Sequence, residues 1–192
     1  MEQVLKQVLS QRSKSHIIDA SRVPSAVLIP IYYKQGEYYI LFTKRTETVK
    51  EHKGQISFPG GVCENHDRTP FDTALRETTE EIGLPAEAVE LLGELDDCPT
   101  ATSGYIISPF VATIPWPYPL KIDPIEVEEI IEIPISALSD KGCLSEGTEI
   151  IDGQVVTTYS YNYQGQIIWG ATALILNQFL DVARHALKNT QQ

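Results

Sequence analysis

Glu77, Glu80 and Glu81 stand at positions i, i+3 and i+4 of one segment. On a helix turning about 100° per residue they share one face, spread over an arc of about 100°. Leu75 and Ile82 project nearly the opposite way, so one side of such a helix packs and the other gathers negative charge. Like charges about 6 Å apart repel by roughly 2 to 3 kcal/mol at an effective dielectric near 20, and a counterion relieves that repulsion. Carboxylate oxygens are hard ligands, so the expected occupant is Mg2+ or Mn2+, with water and substrate phosphate oxygens completing the shell. Arg76, one position earlier, can hold a carboxylate in a two-pronged pair. The same spacing also suits a plain solvated acidic face. What surrounds the glutamates decides between the two.

A helix over Thr69 to Ile82 carries the cluster, with Pro70 in its first turn and Gly83 as its stop. Before it, Gln55 to Phe58 reads as a short strand ended by Pro59-Gly60-Gly61, where proline removes a donor and the glycines permit unusual backbone angles. Ser25 to Ile31 and Tyr38 to Thr43 form a hairpin about the turn Lys34-Gln35-Gly36-Glu37. Val89 to Leu95, Ser108 to Ile114, Glu128 to Ile135 and Val155 to Tyr163 read as further strands. Met1 to Ser15 and Ala171 to Leu187 read as helices, and a short helix is expected within Ser136 to Leu144. This mixture lacks the regular alternation of a doubly wound sheet. It predicts an α+β fold, a mixed sheet between helices, in one domain over residues 1–192 with its core over about 22–188.

The formal charge of −11 disfavours general nucleic-acid binding, which depends on Lys and Arg neutralising phosphates. The longest apolar runs, Ala26 to Tyr33 and Ala171 to Leu176, fall short of the roughly 20 residues that span a bilayer. The amphipathic N-terminus does not resemble a secretory signal. Three cysteines without metal-type spacing fit reduced thiols, so the expected setting is cytoplasmic. The four histidines are scattered, and their order argues for no Ser-His-Asp or Cys-His arrangement. The expected partner is a small nucleotide, with no nucleic acid or membrane; the sequence leaves a homodimer open.

Gly61 to Leu84 as a whole resembles the box of the Nudix hydrolases, Gly-x5-Glu-x7-Arg-Glu-U-x-Glu-Glu-x-Gly-U, where U is usually aliphatic. Arg76-Glu77-Thr78-Thr79-Glu80-Glu81-Ile82-Gly83-Leu84 matches apart from Thr78 at one U position. The first half departs: the interval from Gly61 to Arg76 is one residue longer, and Arg68 stands where the pattern has Glu. Leu41-Phe42-Thr43-Lys44-Arg45-Thr46, then Lys50, His52 and Gly54-Gln55-Ile56-Ser57-Phe58-Pro59-Gly60-Gly61, are similar to the signature of the coenzyme A diphosphatase branch, which shares the longer loop. Leu92-Gly93-Glu94-Leu95, Thr102-Ser103-Gly104-Tyr105 and Ile168-Trp169-Gly170-Ala171-Thr172-Ala173 extend the likeness over about Val23 to Leu180.

The resemblance implies a Nudix-type α/β/α sandwich and hydrolysis of a diphosphate bond in a nucleoside diphosphate derivative. Coenzyme A would yield 4′-phosphopantetheine and adenosine 3′,5′-bisphosphate. It further implies metal held by Glu77, Glu80, Glu81 and the Gly60 carbonyl, with Glu80 and Arg76 in the catalytic apparatus. The general base is expected outside the box, at Glu126 in preference to Glu128 or Glu129, because Glu126 precedes the alternating strand and so lies on a loop. Arg45, Lys50, His52 and Gly61 are the expected substrate contacts; with Lys44 and Lys53 the cations form a local basic island in an acidic chain. Hydrolysis of ADP-ribose or another nucleoside diphosphate derivative is the alternative. A non-catalytic nucleotide-binding Nudix module is a second.

Overall fold

Alternation along the first hairpin dictates a sheet covered on both faces. In the computed structural model, which describes residues 1–47, 54–151 and 154–189, strands β1 (Val23–Lys34) and β2 (Glu37–Arg45) pair antiparallel about Gln35-Gly36. The φ angles there are 53° and 92°, the left-handed pair that a two-residue hairpin turn requires. Ile29 and Ile31 point to one face. They join Leu5 and Leu9 of α1 (Glu2–Gln11) and Ile175, Leu176 and Phe179 of α4 (Gly170–Asn189). Ala26 and Leu28 point to the other face and pack with Ala74 of α2 (Pro70–Ile82). Full burial of each branched side chain contributes about 1.5 to 3 kcal/mol, which makes a one-residue slip of β1 prohibitive.

The remaining strands complete the middle layer. They are β3 (Ile56–Ser57), β4 (Gly60–Val62), β5 (Glu90–Glu94), β6 (Cys98–Pro99), β7 (Tyr105–Thr113) and β8 (Val127–Pro134). The order is β3-β2-β1-β7-β5, with β4 beside β1, β6 beside β7 and β8 beside β2. Among the described residues only β1 and β7 run parallel. The expected mixed sheet between helices is what forms.

Two expectations change. Gly60 and Gly61 do not merely end a strand; with Val62 they form β4, paired to Ser25–Val27. The short helix expected within Ser136 to Leu144 is α3 (Ile135–Leu138), and Leu144 opens strand β9 (Leu144–Ile151). The expected Val155 to Tyr163 strand is β10 (Gln154–Tyr163), and it lies between β9 and β11 (Gln166–Trp169) in a separate antiparallel sheet.

Helix α2 is fixed at both ends by local chemistry. The Thr69 hydroxyl accepts the Asp72 amide while the Asp72 carboxylate accepts the Thr69 amide, a reciprocal cap worth about 1 kcal/mol. Gly83 closes the helix in the left-handed conformation, φ 68°. The acidic face is thereby set in register against β4 and the end of β2. Among the described residues no helix is long and apolar enough to cross a membrane.

Candidate active site

Glu81 leaves α2 toward the sheet and is 3% exposed. Burial pushes its pKa up to about 8; Arg45 opposes the shift, Glu77 and Glu126 add to it, and the Gly60 amide donates to the carboxylate. Arg45 Nη1 lies 3.9 Å from Glu81 Oε1. Among the described residues, Glu81 Oε2 and Arg45 Nε are both buried without a hydrogen-bond partner. Unmet groups of this kind are costly inside a fold and mark a place where a ligand completes the structure.

Glu77 lies one turn earlier, and burial also raises its pKa, against the pull of Arg76. Its carboxylate fills the space that a side chain on residue 61 would need: a Cβ on Gly61 would stand 2.5 Å from Glu77 Cδ. Glu80 differs. Its side chain is 60% exposed and is held at the rim by Arg76 Nη1, 3.2 Å from Oε2, the same nitrogen that donates to Glu77.

Arg76 is the tie that holds this geometry. Its Nε and Nη2 make a fork onto Asp67 at 3.2 and 3.0 Å, Nη1 donates to Glu77 at 2.8 Å, and Nη2 also reaches the Val62 carbonyl at 3.1 Å. It joins β4 to α2 and positions Glu77 without facing the cleft. Asp67 supplies the carboxylate that the Arg68 departure removes from its usual position in the box: it stands one residue earlier and also accepts hydrogen bonds from Thr73 Oγ1 and the Glu64 amide. The Arg76 hydrogen bonds hold its pKa well below the usual carboxylate range.

That depression makes stability depend on pH with a definite sign. A carboxylate whose folded pKa is lowered stabilises the fold fully above its unfolded pKa, near 4, and less as pH falls. Asp67→Asn is therefore expected to cost about 1.5 to 3 kcal/mol at pH 7. Urea unfolding of both proteins should show that difference shrinking between pH 4 and pH 2. A gap unchanged at pH 2 would mean the carboxylate charge is not what matters.

Strand alternation divides the expected basic island. Lys44 turns outward and pairs with Glu128 and Glu129 at 3.1 and 3.2 Å, whereas Arg45 turns inward to the cleft. The same pairing takes Glu128 and Glu129 away from the site. Glu126 lines the cleft with Glu77, and its segment is pinned by Thr46, whose amide donates to the Glu126 carbonyl at 3.0 Å and whose hydroxyl donates to the Ile125 carbonyl at 2.7 Å. Gly60 and Gly61 line the cleft too. Lys50, His52 and Lys53 lie outside the described residues.

Glu77, Glu126 and Arg45 line a half-open cleft of about 1100 Å3. Its other walls are residues 99–105, where Tyr105 faces the space, and the sheet β9–β11. Phe110 is instead in the core against Phe71. The β9–β11 wall escaped sequence reasoning, although Gln164-Gly165 between alternating segments carries the same turn signal as Gln35-Gly36.

Among the described residues no three carboxylate, imidazole or thiol groups are gathered closely enough to ligate one ion. The donor set nonetheless fits a hard divalent cation. Glu81 presents a buried, unpaired oxygen, Glu77 and Glu126 add negative charge beside it, and the bare Gly61 leaves room at the Glu77 carboxylate.

Residues 22–142 match the NUDIX domain. The chain is 38% identical over 157 residues to a Photorhabdus laumondii protein described as an uncharacterized Nudix hydrolase NudL, covering 80% of this chain and 81% of the relative. A Yersinia pestis protein of the same description is 36% identical over 165 residues, covering 84% and 80%. In structure, a MutT/nudix family protein from Enterococcus faecalis superposes with a TM-score of 0.59 at 16% identity, over 96% of this chain and 70% of that one. The NUDIX domain of Shewanella oneidensis NrtR, crystallised with ADP ribose, gives 0.56 at 14% identity, over 88% and 90%. At such identities the likeness is one of fold.

Proposed function

This chain belongs to the Nudix hydrolase family, whose members act on nucleoside diphosphate derivatives, and on that premise we propose that its substrate is coenzyme A or a coenzyme A derivative. The observation that carries the reading is the cleft. It is lined by Glu77, Glu126 and Arg45, by residues 99–105 and by the second sheet, about 1100 Å3 in all, just above the roughly 300 to 1,000 Å3 usual for small-ligand sites. A diphosphate carrying a long arm makes use of that whole space.

Glu77 and Glu81, with Glu80 and the Gly60 carbonyl, are the groups that would hold Mg2+ or Mn2+. Bound there, the ions neutralise diphosphate oxygens and favour charge build-up in the transition state. Arg45 supplies a fixed positive charge beside Glu81. Arg76, locked by Asp67, sets the Glu77 carboxylate. Glu126 accepts a proton from the attacking water as that water bonds to one phosphorus and the bridging P–O bond breaks. Release of 4′-phosphopantetheine and adenosine 3′,5′-bisphosphate completes the reaction.

The position of Glu126 supports its assignment as base over its neighbours. Glu126→Gln should lower kcat about 10²- to 10⁴-fold, while Glu128→Gln and Glu129→Gln, whose carboxylates face Lys44, should stay within about threefold of the parent. Steady-state rates of the three variants decide it; equal losses in all three would remove the assignment. The substrate itself is tested by offering coenzyme A and ADP-ribose with Mg2+ or Mn2+ and identifying products by mass spectrometry. Cleavage of ADP-ribose at tenfold or greater kcat/KM over coenzyme A would overturn the proposal.

A further inference from the structure

One face of the β9–β11 sheet carries its core contacts, and residues of both faces, Glu146 and Tyr159 among them, line the cleft. Tyr161 and Ile168, partners across β10 and β11, are buried in the core. Alternation turns the next pair, Ser160 and Trp169, to the opposite side. Across to β9 that side carries Thr158 opposite Gly147 and Val156 opposite Glu149. All six of these residues line the cleft. Trp169 is 53% exposed, a large aromatic surface left open at the wall of a binding space.

Charge is unevenly divided around the cleft. From Leu144 to Trp169 the sequence contains no Lys, Arg or His, and it contains Glu146, Glu149 and Asp152. The described cations of the cleft, Arg45 and Arg22, stand on other elements. Arg22 is engaged with the Thr100 carbonyl at 2.8 Å and with Asp19 at 3.4 Å. An anionic group moved along the second sheet loses water, meets no positive partner on that sheet among the described residues and approaches Glu149. An uncharged amide or alkyl chain finds hydroxyls, valine and indole instead.

We infer that this wall is a charge filter on the substrate. The arm beyond the diphosphate is accepted along β9–β11 when it is uncharged and rejected when it bears a carboxylate or phosphate, with Glu149 the repelling group and Trp169 the apolar contact. The inference rests on the diphosphatase reading and does not require that the substrate be coenzyme A.

Matched pairs that differ in the charge of the arm test it: acetyl- against succinyl-coenzyme A, and UDP-glucose against UDP-glucuronate. The expected result is a kcat/KM at least tenfold higher for the neutral member, expressed mainly in KM and narrowing at high salt. Glu149→Gln should reduce the ratio to about threefold, and Glu149→Lys should bring it to unity or reverse it. A ratio within twofold in the parent, or one that Glu149→Lys leaves unmoved, overturns the filter. Discrimination within the UDP-sugar pair with no cleavage of either coenzyme A thioester would retain the filter and remove the coenzyme A proposal. Binding of pantetheine and its S-succinyl derivative, followed by Trp169 fluorescence in a Trp116→Phe background, asks the same question without turnover. Tighter binding of the neutral compound supports the filter, and equal binding overturns it.

Discussion

Glu81→Gln is expected to lower kcat/KM by roughly 10³-fold while making the metal-free protein more stable at alkaline pH. A divalent ion supplies several kcal/mol of transition-state charge stabilisation, and each 1.4 kcal/mol is a factor of ten in rate. The stability gain has a separate origin. The Glu81 pKa is raised to about 8 from an ordinary value of 4.5, chiefly by burial, so the folded protein binds this proton more tightly than the unfolded chain does. Without metal, stability therefore falls as pH rises from about 4.5 to about 8, and the full penalty is present above that. The upper limit is roughly 4 to 5 kcal/mol at about 1.4 kcal/mol per pH unit. Glutamine keeps an acceptor for the Gly60 amide and carries no charge. Chelated protein should thus gain about 2 kcal/mol on substitution at pH 9 and little at pH 5, measured by urea unfolding. Mg2+ or Mn2+ should restore the parent at pH 9 and leave the variant unmoved. A variant that kept half its activity, or unfolded more easily at pH 9, would make Glu81 a structural residue.

Gly61→Ala should separate the fold from the chemistry. The new Cβ would lie 2.5 Å from Cδ and Oε1 of Glu77, but that carboxylate ends a flexible side chain and can swing aside. Stability should change by less than about 1.5 kcal/mol, as for tolerated changes of volume. The displaced Glu77 should cost about 10²-fold in kcat/KM, since groups fixed on rigid elements lose that much when moved by about an ångström. Mn2+ titration of activity should shift to higher concentration in parallel. Gly60→Ala gives the contrast. Its Cβ would meet the Ala26 carbonyl at 2.2 Å and the Val27 Cα at 2.6 Å, backbone atoms that cannot yield, so loss of the fold by 3 kcal/mol or more is expected. If Gly61→Ala unfolded as readily as Gly60→Ala while leaving the activity of the folded fraction intact, Glu77 would not depend on this contact.

The amphipathic period of α2, its Thr69 and Gly83 boundaries and the convergence of the glutamates on one face are local properties. They were legible because each rests on residues within a few positions of one another. The first hairpin and the mixed sheet were legible for the same reason. Asp67 was harder to place. Its role depends on a loop returning so that its carboxylate meets the guanidinium of Arg76 at 3.0 Å, and spacing measured along the chain points to Arg68. Within the basic island Lys44 was overread, because adjacency in sequence is not adjacency in space: consecutive strand residues Lys44 and Arg45 face opposite sides, while Lys50, His52 and Lys53 lie outside the described residues.

What the amino-acid order determined by itself is the chemistry on offer: three carboxylates on one helical face, a pair of glycines before them, an arginine to steady them and a net negative charge. The tertiary structure decided which groups are available to act. It buries Glu81 with an unpaired oxygen, leaves Glu80 at the rim, commits Glu128 and Glu129 to Lys44, and brings a sheet from residues 144–169, free of Lys, Arg and His, to the cleft that Glu77 lines. Burial and opposition across a cleft depend on contacts between distant segments. No periodicity within a segment encodes them.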